Sequence, residues 1–192
     1  YYPGFGNANL DPEESATMEA GYRWRDQNSR FSANIFSSDV DNLIAYDAAL
    51  FAPGNVNAAM IQGLEMQFDT AMDAWKFGAA LTLLSAEQDG GTHDGKELPR
   101  RPGEFLELRI NRAFAKASAG ASLFSSGSTY DDLANTTVIE SYTTIDLRGA
   151  YHLSAAWHIV GKVTNLTDED YENSSYYRQP GRQFFAGLKW MQ

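Results

Sequence analysis

Cysteine is absent from this 192-residue chain. Its absence excludes a disulfide framework and any thiolate-bound metal. Positive charge is scarce as well: 15 Lys and Arg stand against 25 Asp and Glu, a formal net charge of −10. Nucleic acid is therefore not an expected partner, because phosphate binding needs a basic surface. No apolar run approaches the roughly 18 residues of a membrane-crossing helix. Tyr1-Tyr2-Pro3-Gly4 does not open a signal peptide, and it fits a chain that begins inside a longer protein. Helical periodicity, linkers and a second composition are all missing, so residues 1–192 read as one unit.

The means for catalysis are also thin. There are three histidines. His93 sits in a loop beside Asp89 and Asp94, while His152 and His158 flank one short turn, and no spacing supplies a third metal ligand. Asp131-Asp132, Asp168-Glu169-Asp170 and the stretch from Asp89 to Glu97 are acidic. They lack the spacing of an EF-hand and read as solvated loop charge. No Ser-His-Asp arrangement, nucleophile elbow or phosphate-cradling glycine loop is legible. The reading is a non-enzyme with no catalytic residue, no metal and no cofactor.

What the chain does have is alternation. In Ala74–Leu83 the odd positions are large and apolar, and in Leu106–Asn111 the even ones are apolar while the odd ones are charged or amide. Residues 144–151 and 156–163 alternate likewise, with a lapse at Val160. Successive strand residues point to opposite faces, so each segment has an apolar and a polar face. Nine such segments are expected, near 14–25, 30–45, 57–70, 74–87, 103–114, 116–128, 140–152, 155–165 and 181–191. Most exceed the usual strand length of about five or six residues and suit a tilted bilayer crossing of about 9–11. Short links near 26–29, 71–73, 114–115 and 152–155 alternate with long ones near 46–56, 88–102, 129–139 and 166–180. Short turns on one side and long loops on the other are the habit of an outer-membrane β-barrel.

Alternation alone does not say which face meets lipid. Two features do. The polar face carries both signs of charge in mid-strand (Glu19, Arg23, Glu65, Glu107, Arg109, Asp146, Arg148 and Lys162), which an aqueous lumen tolerates. All four tryptophans, Trp24, Trp75, Trp157 and Trp190, lie beside a short turn or the chain end and on the apolar parity. Indoles collect at a membrane–water interface, so these four are expected to form a girdle. The expected fold class is all-β, an antiparallel transmembrane β-barrel. The other reading weighed is a soluble β-sandwich or small barrel that binds carbohydrate or protein through its loops.

Candidate recognition residues sit in the long loops. Arg100 and Arg101 lie at the base of one, between Pro99 and Pro102, and Tyr171, Tyr176, Tyr177 and Arg178 crowd the last. Tyrosine and arginine offer rigid area and several donors. The alternative is an aromatic rim that needs no ligand.

Four strings resemble a known family. Residues 6–15 (GNANLDPEES), 61–65 (IQGLE), 163–171 (VTNLTDEDY) and 180–184 (PGRQF) are similar, in order, to signature stretches of TonB-dependent outer-membrane receptors. Residues 38–47, Leu98-Pro99-Arg100-Arg101 and 176–182 look closest to the cobalamin-transporter subfamily. Thr167 stands where the family usually has Phe, and Trp190-Met191-Gln192 ends without the usual aromatic. The resemblance implies the C-terminal nine or so strands of a 22-stranded barrel, with the N-terminal plug domain outside this chain. It implies a receptor segment for TonB-dependent uptake of a scarce ligand, cobalamin or a ferric siderophore, in the bacterial outer membrane. The implied partners are the rest of the barrel, the plug, TonB through the N-terminal region, lipid and lipopolysaccharide. By position, Arg100 or Arg101 and Tyr177 match loop residues that touch cobalamin.

Overall fold

The computed structural model describes residues 6–47, 52–55 and 58–190. The residues at the two chain ends discussed above, 1–4 and 191–192, lie outside that range. Thirteen strands follow in order: β1 Glu14–Arg25, β2 Ser29–Asp41, β3 Ile44–Asp47, β4 Ala52–Asn55, β5 Ala58–Met72, β6 Trp75–Asp89, β7 Glu104–Ala113, β8 Ala117–Ser126, β9 Thr129–Tyr130, β10 Val138–Ile139, β11 Tyr142–His152, β12 Trp157–Thr164 and β13 Gln183–Trp190. Nine of them form one antiparallel sheet in the order β1-β2-β5-β6-β7-β8-β11-β12-β13. These are the nine segments expected from alternation, each paired with its neighbour in sequence. The remaining four make two small hairpins, β3-β4 and β9-β10, inside the long connections.

One boundary differs from expectation. The segment 30–45 is not one strand. β2 stops at Asp41, Asn42 takes φ 55°, and Ile44 starts the β3-β4 hairpin. Asparagine tolerates this left-handed backbone better than a branched residue would. The Asn55 side chain holds the corner by donating to the Asn42 carbonyl at 2.6 Å.

The short links are tight turns with local causes. Asp26 Oδ1 accepts the amides of Asn28 (2.9 Å) and Ser29 (2.8 Å), an Asx turn between β1 and β2. Asp73 takes φ 51° in the two-residue link from β5 to β6, the handedness a tight hairpin favours. Ser154 Oγ accepts the Trp157 amide at 3.1 Å where β12 begins.

Register fixes the faces. The sequence of partners Trp24↔Phe31↔Phe68↔Ala79↔Leu108↔Leu123↔Ile145 runs across seven strands on one face. That face is not packed into a core: Leu108 is 43%, Ile110 37%, Leu147 39% and Ile159 46% exposed. A soluble barrel or sandwich would bury these side chains. The opposite face carries ion pairs in mid-sheet. Asp69 accepts from Arg30 at 3.1 Å and from Arg109 at 3.3 Å, and Lys162 meets Asp146 at 3.2 Å. Arg148 Nη2 donates to Asn111 Oδ1 at 2.7 Å. Gly120 makes room there, since a Cβ at that position would meet Asn111 Oδ1 and lie 3.1 Å from Arg148 Nε.

The buried apolar cluster lies elsewhere. Val40, Ala59 and Ala86 sit on the charged face near the long loops, where Leu98 covers them at 1% exposure together with Leu43. The long link after β6 thus folds down onto the inner face of the wall.

Candidate functional site

The long loops on one side of the sheet form a connected structure. The link after β6 hydrogen-bonds back to that strand through Leu98 N to Ala86 O (2.7 Å) and Gln88 N to Lys96 O (2.8 Å). It then docks on the β9-β10 hairpin. Glu97 N donates to Asn135 Oδ1 at 2.8 Å, and Asn135 Nδ2 returns a bond to Glu97 O at 2.9 Å. Asn135 takes φ 57° to present this edge. Buried Gln88 reaches the same hairpin through Leu133 O at 2.8 Å.

Arg100 and Asp131 tie this layer to the last loop. Arg100 N donates to Tyr130 O at 2.7 Å, and its Nε reaches Asp131 Oδ1 at 2.6 Å. The same carboxylate oxygen accepts from Ser174 Oγ at 3.1 Å and Ser175 N at 3.3 Å. Three long connections therefore meet at one side chain. Partial burial pushes the Asp131 carboxyl up. Its hydrogen bonds from Arg100, Ser175 and Ser174 outweigh that, and it rests below the ordinary carboxylate value. Asp132 is lowered in the same way, with burial opposed by donors from Thr136 and Thr137 that close the hairpin turn. This pair is structural, not the solvated loop charge that its sequence suggested.

The last loop is closed by two strings that are far apart in sequence. Asn165 is 5% exposed, donates to Glu169 O (2.8 Å), accepts from Glu169 N (2.8 Å) and reaches Pro180 O (3.4 Å). Asp168 accepts the Arg182 amide at 2.7 Å, and Arg182 Nη1 donates to Leu166 O at 3.1 Å. A Cβ at Gly181 would lie 2.8 Å from Asp168 Oδ1, so glycine is the residue that fits. The signature stretches 163–171 and 180–184 are thus the two halves of one lock.

Five of the six candidate recognition residues, Arg100, Arg101, Tyr176, Tyr177 and Arg178, are distributed unevenly. Arg100 has φ 58° and Tyr176 φ 69°, a left-handed backbone that costs energy for side chains of this size. Tyr176 and Tyr177 are 95% and 70% exposed at the tip of the last loop. Arg178 meets Asp170 at 3.1 Å. Arg101 is held differently. Its amide donates to Thr129 Oγ1 at 3.1 Å, and its Nη1 is buried. Asp131 therefore links Arg100 to the loop that bears the tyrosines.

Sequence reasoning missed a second set. Phe105, Phe124 and Tyr142 lie on the charged parity of β7, β8 and β11, just below these loops. Their ring centroids are 6.2 and 6.0 Å apart, and Tyr142 stacks on Tyr171 of the last loop at 4.0 Å with 23° between planes. The available signal was aromatic residues at positions where alternation otherwise puts charge. Asp131 and Asn165 carried no comparable signal, because a loop carboxylate or amide looks the same whether it is solvated or bonded.

The four tryptophans lie at the short-turn end of the apolar face. Trp157 pairs directly with Trp190, and Arg112 lies over the Trp75 ring at 4.8 Å. On the other face at that end, His152 and His158 are direct cross-strand partners with centroids 4.3 Å apart. Among the described residues no three His, Asp or Glu converge as a metal-ligand set.

Comparison with known proteins agrees with this architecture. Residues 1–166 match the family described as "TonB dependent receptor-like, beta-barrel". The vitamin B12 transporter BtuB of Photobacterium profundum is 30% identical over 193 residues, covering 97% of this chain and 31% of that protein. The probable TonB-dependent siderophore receptor PiuA of Acinetobacter baumannii is 26% identical, covering 88% of this chain and 25% of the relative. The crystal structure of that siderophore receptor superposes with a TM-score of 0.82 at 23% identity over 96% of this chain and 30% of that one. The unliganded ferric citrate transporter FecA gives 0.82 at 20% identity over 94% of this chain and 32% of its own. The chain spans about a third or less of the length of these relatives. With residues 1–166 matched and the nine-stranded wall shared, the chain belongs to the TonB-dependent receptor-like β-barrel family.

Proposed function

We propose that this chain is the C-terminal barrel portion of an outer-membrane receptor that takes up a scarce ligand, cobalamin or a ferric siderophore, with energy delivered by TonB. Its sheet supplies barrel wall, and its long loops supply part of the external ligand vestibule. The observation that carries the reading is the division of the faces: large apolar side chains exposed on one face of the nine-stranded sheet, with ion pairs on the other side. Apolar side chains on a span of this length are stable against hydrocarbon, and ion pairs are stable in an aqueous or plugged lumen.

The remaining assignments follow from that frame. The rest of the barrel pairs with the free edges of β1 and β13, because an unpaired strand edge is not tolerated in lipid. A plug domain fills the lumen and receives TonB through its N-terminal region. Trp24, Trp75, Trp157 and Trp190 form the periplasmic girdle, and lipid and lipopolysaccharide surround the wall. Arg100, Arg101, Tyr176, Tyr177 and Arg178 contact the ligand. The names of the two relatives, a vitamin B12 transporter and a siderophore receptor, support both ligand classes, the former at the higher identity.

The test has two parts. Bilayer quenchers placed at graded depth should quench all four tryptophans at one shallow level; burial away from lipid would favour the soluble module. Titration of the full-length receptor with cyanocobalamin and with ferric siderophores should then give saturable binding to one class.

A further inference from the structure

A groove crosses the apolar side of the wall. Gly149 of β11, Gly161 of β12 and Ala186 of β13 are successive register partners and form its floor. Leu147, Val163 and Phe184 make the ridge on one side, and Tyr151, Ile159 and Leu188 the ridge on the other. A cavity of about 490 Å³ lies along this floor. Packing within the sheet does not demand glycine there. A Cβ would meet nothing closer than Ser118 O at 3.5 Å at position 149 and Phe185 O at 3.8 Å at position 161. Glycine inside a strand weakens it and often marks a place where another molecule comes close.

The same register continues through Ala119 of β8 to Arg112 of β7. Arg112 has the apolar parity, and none of the ion pairs among the described residues includes it. Its guanidinium lies over the rings of both Trp75 and Phe114, 4.8 Å from each centroid. Stacking holds the charge by its faces and leaves the N–H edge to donate. The two ends of this line stand at different depths. Arg112 is the register partner of Trp75, at the level of the tryptophans. Gly161 and Ala186 lie four residues along their strands from Trp157 and Trp190, which mark that level on β12 and β13. The line therefore starts at the girdle and climbs toward mid-wall. It covers about 19 Å at roughly 4.8 Å per strand.

Resting on the receptor reading above, we propose that this groove seats one phospholipid of the periplasmic leaflet, its phosphate on Arg112 and one acyl chain along the floor. Charge and depth together select the occupant. A cation backed by aromatic rings at headgroup level suits a phosphate, which is attracted to basic groups at the membrane surface. An apolar channel that leads from that cation into the bilayer suits the chain attached to the phosphate. An acidic phospholipid fits better than a zwitterionic one, because the latter brings its own ammonium to the same end. Bound there, the lipid fills the space that Gly149 and Gly161 leave open and gives Arg112 a counter-charge.

The experiment is native mass spectrometry of the detergent-solubilised full-length receptor with added dioleoyl phosphatidylglycerol. Wild type is compared with Arg112→Gln, Arg112→Lys, Gly149→Val and Gly161→Leu, each with its thermal melt. Ala79→Leu, which adds bulk elsewhere on the same face, is the control. Wild type should retain one lipid. The lipid-bound fraction should fall about fivefold in Arg112→Gln. It should fall about threefold in the two groove variants, where chain packing is lost. Arg112→Lys and Ala79→Leu should stay within about twofold of wild type, at matched melting temperature. Either groove variant suffices if the other does not fold. Unchanged retention in Arg112→Gln or in the groove variants would overturn the lipid site, as would an equal loss in Ala79→Leu. So would a dimer peak that disappears in Gly161→Leu, which would give the groove to a second copy of the chain. A wild type that retains no lipid, while bilayer quenchers still reach its tryptophans, would remove the lipid site and leave the receptor reading standing. Tryptophans out of reach of those quenchers would remove both.

Discussion

Arg100 Nε stands 2.6 Å from Asp131 Oδ1, and that carboxylate oxygen also receives Ser174 and Ser175 from the last loop. One side chain therefore sets the relative position of three long connections. The loops are thus held relative to one another before any ligand arrives, and a ligand that used them would meet a lower ordering cost.

Asp131→Asn should loosen the last loop without unfolding the wall. The lost charge-assisted bonds contribute about 1–2 kcal/mol, with the half-exposed arginine at the low end. Amide hydrogen exchange over 170–180 should accelerate severalfold in the variant, while β6 and β7 exchange as in wild type.

The same clamp has a defined pH dependence. The folded Asp131 carboxyl lies below its ordinary value. Its contribution is therefore complete above the unfolded carboxylate pKa, about 3.9, and is lost as pH falls through the lower folded value. Protection of the Ser174 and Ser175 region should be flat from neutral pH down to about 5 and fall only in stronger acid. A midpoint near neutrality would contradict the assignment.

Asn165→Ala should open the last loop at its base. The amide is buried, and removing it strands the Glu169 amide and carbonyl, a cost of about 2–3 kcal/mol. Limited proteolysis should then cut between 166 and 180 at protease levels that leave wild type intact.

Leu108→Arg tests the orientation of the wall. On a lipid-facing strand it should destabilise bilayer folding by about 2–4 kcal/mol if it lies near the midplane. Its neighbour Glu107→Gln, on the inner face, should cost well under half as much. Equal costs at the two positions would reverse the assignment of the faces.

Gly120→Ala should be harmful although alanine is a better strand former than glycine. The new Cβ would displace Asn111 Oδ1 and crowd Arg148, which bonds that oxygen at 2.7 Å. A loss of about 1–3 kcal/mol is expected in denaturant titration. Gly149→Ala, where a Cβ meets only Ser118 O at 3.5 Å, is the control.

The sequence by itself determined the wall. A period of two forces side chains to opposite faces, so Leu106 to Asn111 could be sorted without coordinates, and the short links between segments required antiparallel hairpins. It also located the tight turns, since Asp26, Asp73 and Ser154 act on residues within three positions. The end of β2 was not legible, because the left-handed backbone at Asn42 is held by Asn55 from thirteen residues away. The loops depended on tertiary structure for the same reason. Asp131 and Arg100 are separated by 31 residues, Asp131 and Ser174 by 43, and Asn165 and Pro180 by 15. A local pattern encodes which way a strand residue points. It does not encode which distant loop will place a donor beside a given carboxylate, nor that rings on β7, β8 and β11 will gather under Tyr171.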